Sequence, residues 1–218
     1  MTKSHKDINR WPLLAALVAN FLLYTALAKN LELAQLSTAS AVEHLKTVFP
    51  GGLALALTSI VNAQLTHLHK ARIVFWRWDH PLPGSRVFSE LAQDDYRIDL
   101  AEMKKRWSPL PTDPREQNSL WYRLYQSQQA SPAIGHLDRN WLFARDYACV
   151  VALLIPILSL AAAIQFSSLR SYLTLLAALV MQFLLARQAA KNYADRFVTT
   201  VVAQALANPS TEHNTELP

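Results

Sequence analysis

The sequence predicts an all-α membrane protein with four transmembrane helices and a helical cytoplasmic insert between the second and third spans. Three observations predict it. Four long stretches carry no Lys, Arg, Asp or Glu: Trp11 to Ala28, Thr47 to His69, Tyr147 to Leu169 and Ser171 to Ala186. A hydrocarbon core of about 30 Å takes roughly 20 apolar residues as helix, so three stretches suffice and the fourth is marginal. The charges are gathered between them, with twelve Lys and Arg against ten Asp and Glu from His67 to Asp146, which holds the mean hydropathy at only +0.08. Outside the spans the apolar spacing is helical, and no strand or hairpin signal appears. An ordinary soluble domain is excluded.

Residues 1–69 are the N-terminal tail and the first two spans. The tail carries Lys3, Lys6 and Arg10 against Asp7, whereas the first loop balances Lys29 and Lys46 against Glu32 and Glu43, so the tail is expected inside. Trp11-Pro12 opens the first span with an interfacial aromatic and a residue suited to a helix's first turn. Asn20, its one strongly polar interior residue, is expected to face another helix. Ala26-Leu27-Ala28 before Lys29 has the small-x-small form of a signal cleavage site, against which stands the length of the apolar run. In the second span Ser59, Asn62, Thr66 and His69 are spaced 3, 4 and 3, which sets them on one helical stripe. That stripe suits the lining of a pore built from several copies, and equally the polar glue between helices of one chain. It is expected to run without a break into Lys70 to Trp78.

Residues 70–146 are the cytoplasmic insert, whose opening Lys70, Arg72 and Arg77 mark it as inside. Ile73 to Trp78 reads as the second membrane helix continuing out of the bilayer, with Trp76 and Trp78 at headgroup level. The Pro81 to Gly84 run ends it. Short helices are expected over Ser85 to Gln93 and from Asp99 to Trp107, where Asp99 and Glu102 have capping-box spacing. After the rigid break at Pro109, Pro111 and Pro114, Arg115 to Gln129 carries an apolar face of Leu120, Trp121, Leu124 and Tyr125. Ser131-Pro132 starts a helix that runs straight into the third span. Residues 147–187 hold spans three and four, joined by a turn at Ser167 to Arg170, and Pro156 is expected to kink the third. Residues 188–218 read as a cytoplasmic helix through Tyr193, Phe197, Val201 and Ala205, then a disordered polar tail from Asn208. Both termini are therefore expected in the cytoplasm. The net charge of +5 follows from this orientation rather than from a nucleic-acid surface.

No acid or base lies inside any span, which excludes an intramembrane proton relay and a voltage-sensing ladder. Cys149, the only cysteine, excludes an intrachain disulfide and reads as a small buried apolar side chain. His67, His69 and His80 are a weak metal set, because two histidines at spacing 2 point to different helix faces. Asp94, Asp95 and Asp99 read as a solvated acidic turn. With no phosphate loop, nucleophile elbow or HExxH pattern, no enzyme, metal site or cofactor is expected. A lipid-modifying enzyme would have to draw on Asp79, His80, Arg145 and Asp146. Arginines interleaved with aromatics, namely Arg72, Trp76, Arg77, Trp78 and Arg86, and later Trp121 with Arg123, could stack a base and pair a phosphate. The same residues would equally serve as an interfacial belt and a domain core.

Arg77-Trp78, the run Pro81-Leu82-Pro83-Gly84-Ser85-Arg86 with Phe88, Glu116-Gln117 with Trp121-Tyr122, and Arg145-Asp146 at the mouth of the third span together resemble small bacterial membrane proteins of anti-phage defence type, the Hailong-like or Kiwa-like membrane effectors. The resemblance covers Arg77 to Asp146 and the four-span layout, and no family ligand motif aligns residue by residue. It implies a homo-oligomeric effector in the bacterial inner membrane, held off by a cytoplasmic protein partner or by a nucleotide or oligonucleotide signal, whose spans permeabilise the bilayer on release. The alternative is a non-conducting adaptor that anchors a cytoplasmic partner.

Overall fold

A computed structural model describes residues 10–28 and 64–207. They form α1 (Arg10–Ala28), α2 (His67–Phe75), a 3-10 turn (Pro83–Arg86), a π-helical turn (Val87–Leu91), α3 (Leu100–Arg106), α4 (Pro114–Ser127), α5 (Pro132–Gln165) and α6 (Leu169–Ala207), with no strand among the described residues. Three of these, α1, α5 and α6, are long and apolar enough to cross a membrane. Residues 47–63 of the second expected span, the first loop and the expected disordered tail from Asn208 lie outside the described residues, and so do Ser59 and Asn62.

Helices α5 and α6 dominate the architecture. Their 34 and 39 residues correspond to about 51 and 58 Å at 1.5 Å per residue, nearly twice a hydrocarbon core. Each therefore reaches well beyond a bilayer, and their packing falls into two zones. In the membrane-side zone Leu17, Phe21 and Tyr24 of α1 pack on Val150, Leu154, Leu158 and Ala162 of α5 and on Leu175 and Leu179 of α6. In the other zone Ala186, Ala190, Ala194, Phe197, Val198, Val201 and Val202 of α6 meet Ile134, Trp141, Ala144 and Ala148 of α5 and the buried residues of α2 to α4. The alanines spaced by four on α6 let neighbouring backbones approach closely. Helix α5 continues on both sides of Pro156.

Residues 188–207, expected to keep a helical pattern after Arg187, are continuous with the last span and form the spine on which the insert folds, because the apolar face of Phe197, Val201 and Ala205 is covered by α4 and its neighbours.

The expected unbroken helix from the polar stripe through Trp78 does not form. The chain bends at Leu65, Thr66 is extended at φ −65° and ψ 160°, and its hydroxyl accepts the His69 N–H as the N-cap of α2. The helix then ends at Phe75 because Trp76 is left-handed at φ 53°. Such a conformation costs a β-carbon-bearing residue roughly 1–2 kcal/mol, and here it lays the Trp76 ring under the Arg187 guanidinium at 3.6 Å.

The segment Ser85 to Gln93 is helical but not α-helical. The buried Gln117 amide oxygen accepts the N–H groups of both Phe88 and Ser89, each at 3.2 Å, and so draws them out of a regular α ladder. Gly84 makes a close approach in the preceding turn, where a β-carbon would lie 2.6 Å from Asn118 Oδ1 and 3.0 Å from the Trp121 ring, so any larger residue would have to displace both side chains. Asp99 caps α3 by accepting from Ala101 and Glu102. Asp113 caps α4 in the same way with Pro114 at its first turn, so the third proline of the break is a helix start.

Asn20 is buried, as a residue facing other helices would be, and its amide donates at 2.9 Å to Ala16 O of its own helix.

Candidate functional site

Five of the seven expected ligand residues come together where the two packing zones meet. On α2, the Lys70 ammonium lies 3.1 Å from Asp146, and Arg145 reaches the same carboxylate oxygen at 2.9 Å. All three side chains are largely buried, at 10%, 18% and 10% exposure, so this triad ties α2 to α5 in a low-dielectric setting. Arg145 also lies over the Trp141 ring, and Cys149 is buried behind the triad with its thiol 3.9 Å from Lys70 O.

Beyond the end of α2 the chain folds back over its own arginine. Arg72 Nε donates to Trp78 O at 3.1 Å and its guanidinium sits 5.9 Å from the Trp78 ring. Trp76 and Trp78 remain 61% and 78% exposed. Arg77 pairs with Glu90 on the surface. Arg86 is buried between three groups: it lies over the Phe75 ring at 4.7 Å, pairs with Glu90, and donates to Asp195 of α6 at 3.2 Å. Burial lowers the Arg86 pKa and raises that of Asp195, and in each the pair's attraction opposes the shift.

The other two expected ligand residues separate. Trp121 is part of the core: its ring stacks on Tyr125, meets Phe197 edge-on at 5.5 Å, and its indole N–H donates to Val198 O. Arg123 is exposed and lines a shallow groove of about 520 Å³ with Trp107, Pro111, Arg115, Glu116 and Leu120. Of the expected pore stripe, Thr66 and His69 are exposed and within 3.1 Å of each other, at the start of α2.

Sequence reasoning missed the residues that fasten the insert to α6. Arg106 donates to the Ala205 and Leu206 carbonyls, Arg97 to the Thr199 and Thr200 hydroxyls, and Gln128 to Val201 O. Ala205 and Leu206 are in the last turn of α6, where carbonyls lack helical partners, so Arg106 caps the spine. The Arg97 guanidinium, bonded to Asp95, holds that carboxyl well below the usual carboxylate range. Nothing in the local pattern marks these donors, because their acceptors lie 73 to 103 residues away.

No family model, no curated protein and no solved structure matches the chain.

Proposed function

We propose that this protein is a membrane effector whose extramembrane domain controls the tilt and association of its spans, and that assembled copies leak ions when the domain is switched. One observation carries the reading: α5 and α6 pass without interruption from the membrane-side packing into the domain, which grips both at once. The Lys70–Asp146–Arg145 triad stands at that passage. A ligand that favours one arrangement of the domain would bias both helices together, which is the coupling a switch requires. The groove bearing Arg115 and Arg123 is where we place an anionic signal, of nucleotide type or from a protein partner. The polar residues Ser59 and Asn62 are our assignment for the conducting path. The setting, defence against phage from the bacterial inner membrane with both termini cytoplasmic, rests on the resemblance of Arg77 to Asp146 and on the charge bias.

The test is ion and dye flux from liposomes that hold the purified protein, with the oligomer's mass measured in detergent on the same sample. Flux from a defined oligomer supports the effector. Liposomes that stay tight for every oligomer and every candidate signal overturn it in favour of a non-conducting adaptor. Asp146→Asn leaves two buried cations without their carboxylate, a change that costs roughly 3–5 kcal/mol where one partner of a buried pair is removed. We expect it to alter the flux state and to speed maleimide labelling of Cys149, now behind an opened triad. Unchanged flux and labelling would separate the triad from the switch.

A further inference from the structure

The exposed apolar side chains of α6 end abruptly. Leu169, Leu173, Val180, Met181, Leu184 and Leu185 are exposed, and no large exposed apolar residue follows on that helix. Arg187 comes next, half a turn beyond Leu185, which places it at the level where hydrocarbon gives way to headgroups. Its guanidinium is covered on one side by Trp76, and its Nε is buried with no hydrogen-bond partner. Arg72 lies one turn before Trp76, whose N–H donates to Arg72 O, and its side chain is linked to the exposed Trp78, so it shares the same end of α2. Neither Arg72 nor Arg187 has an ion pair among the described residues, whereas Lys70, Arg77, Arg86 and Arg145 around them do.

Two unpaired guanidiniums at a membrane boundary, one with an unsatisfied buried donor, call for an anion held at that depth. Arginine forks match phosphate oxygens, and tryptophans beside them suit the apolar-to-polar transition. We propose that Arg72 and Arg187, flanked by Trp76 and Trp78, bind the phosphate of an anionic phospholipid headgroup. The lipid is favoured over a phosphate in solution because the exposed leucines adjoin the site and would meet its acyl chains. Bound there, the lipid touches both α2 and α6 and pins the passage between domain and spans. The site does not depend on whether those spans conduct.

The experiment is native mass spectrometry of the full chain in detergent, titrated separately with phosphatidylglycerol and phosphatidylcholine. The unaltered protein should retain phosphatidylglycerol preferentially. Each cation near an anionic surface contributes about fivefold, so Arg72→Ala with Arg187→Ala should cut the preference roughly 30-fold. Arg72→Lys with Arg187→Lys should keep much of it. Lys104→Ala with Lys105→Ala, on α3 and next to the Arg106 that caps the far end of α6, removes the same charge and should leave it intact. Equal retention of the two lipids, or an equal loss from the Lys104 and Lys105 substitutions, would overturn the proposal. Inorganic phosphate that displaces phosphatidylglycerol at matching concentration would overturn the lipid assignment. Should the alanine variant misfold, tryptophan quenching of the unaltered protein by brominated phosphatidylglycerol should exceed that by brominated phosphatidylcholine, and should fall in Trp78→Phe; equal quenching counts against the site.

Discussion

Helix α6 works in two different solvents within its 39 residues. In its first half Leu175 and Leu179 are fully buried while the leucines around them face outward. From Ala186 onward the exposed large apolar side chains cease, and Phe197, Val198, Val201 and Val202 are all buried beneath the insert. The polar contacts differ in the same direction. The membrane-side zone holds local or isolated bonds, such as Asn20 to its own helix and Tyr24 to Gln165 at 2.7 Å. The other zone receives donors from Arg97, Arg106, Trp121 and Gln128. Where lipid surrounds a helix, burying leucine against protein gains little over leaving it in hydrocarbon, so close fit and few hydrogen bonds do the holding. Where water surrounds it, removing aromatic surface from solvent is the main driving force. Stability that depends on apolar burial should therefore be concentrated in the second half of α6.

Three changes break or sharpen that contrast. The largest is Phe197→Ala, which empties a site enclosed edge-on by Trp121 and Tyr125 at 5.5 and 5.4 Å. It should cost about 3–5 kcal/mol, read by denaturant unfolding in detergent through tryptophan fluorescence. A loss below about 1 kcal/mol would mean that this core is not what holds the domain on α6.

A smaller effect is the pH dependence of the Asp95–Arg97 contact. Hydrogen bonds from Arg97 lower the folded-state pKa of Asp95 below its ordinary value of 3.8. The folded state then binds fewer protons than the unfolded one, so the stabilisation is complete above the ordinary value and lost as pH falls towards the folded one. Arg97 is 40% exposed, and screening limits the contribution to about 1 kcal/mol or less. Asp95→Asn should remove this part of the acid limb and lower stability above pH 5, roughly one unit over the ordinary carboxylate value, by a constant amount of about 1 kcal/mol or less. An acid limb of identical shape in the variant would show that the contact does not differ between the two states.

The smallest is Tyr24→Phe, which deletes a long-range side-chain bond from α1 to the end of α5. Hydrogen bonds between membrane helices average about 0.6 kcal/mol, so a similarly small loss is expected from thermal unfolding in detergent. A loss several times larger would place α1 among the main supports of the fold and erase the contrast.

The helices of the insert were legible wherever the signal was local. Asp99 and Asp113 hold caps that their neighbours' N–H groups complete, and Ser131-Pro132 starts α5 as the pattern demands. The break before α2 was not legible, since Thr66 fits a polar helix stripe as well as it fits a cap, and only its extended backbone distinguishes the two. The π-helical turn was hidden for a different reason: its cause is Gln117, some thirty residues downstream.

The candidate site divides in the same manner. Arg72, Trp76, Arg77, Trp78 and Arg86 are close in sequence and fall together in space, so interleaved charge and aromatic residues marked the cluster. Trp121 had the same local appearance, and the tertiary fold turned it inward because Phe197 and the Val198 carbonyl offer both an apolar face and an acceptor for its N–H. Arg187 lies outside the run of interleaved arginines and aromatics and was not marked by it. Its place over Trp76 arises from the left-handed turn that ends α2, more than a hundred residues earlier.

By itself, then, the sequence determined that long helices would form and which stretches suit a bilayer, because hydrophobic length and helix caps are properties of neighbouring residues. Only the tertiary structure decided that α6 is the spine of the insert, which arginines meet a carboxylate, and that Arg187 lies over Trp76. Those outcomes depend on which carboxylates and carbonyls arrive opposite each side chain, and that is fixed by packing between segments far apart in the chain.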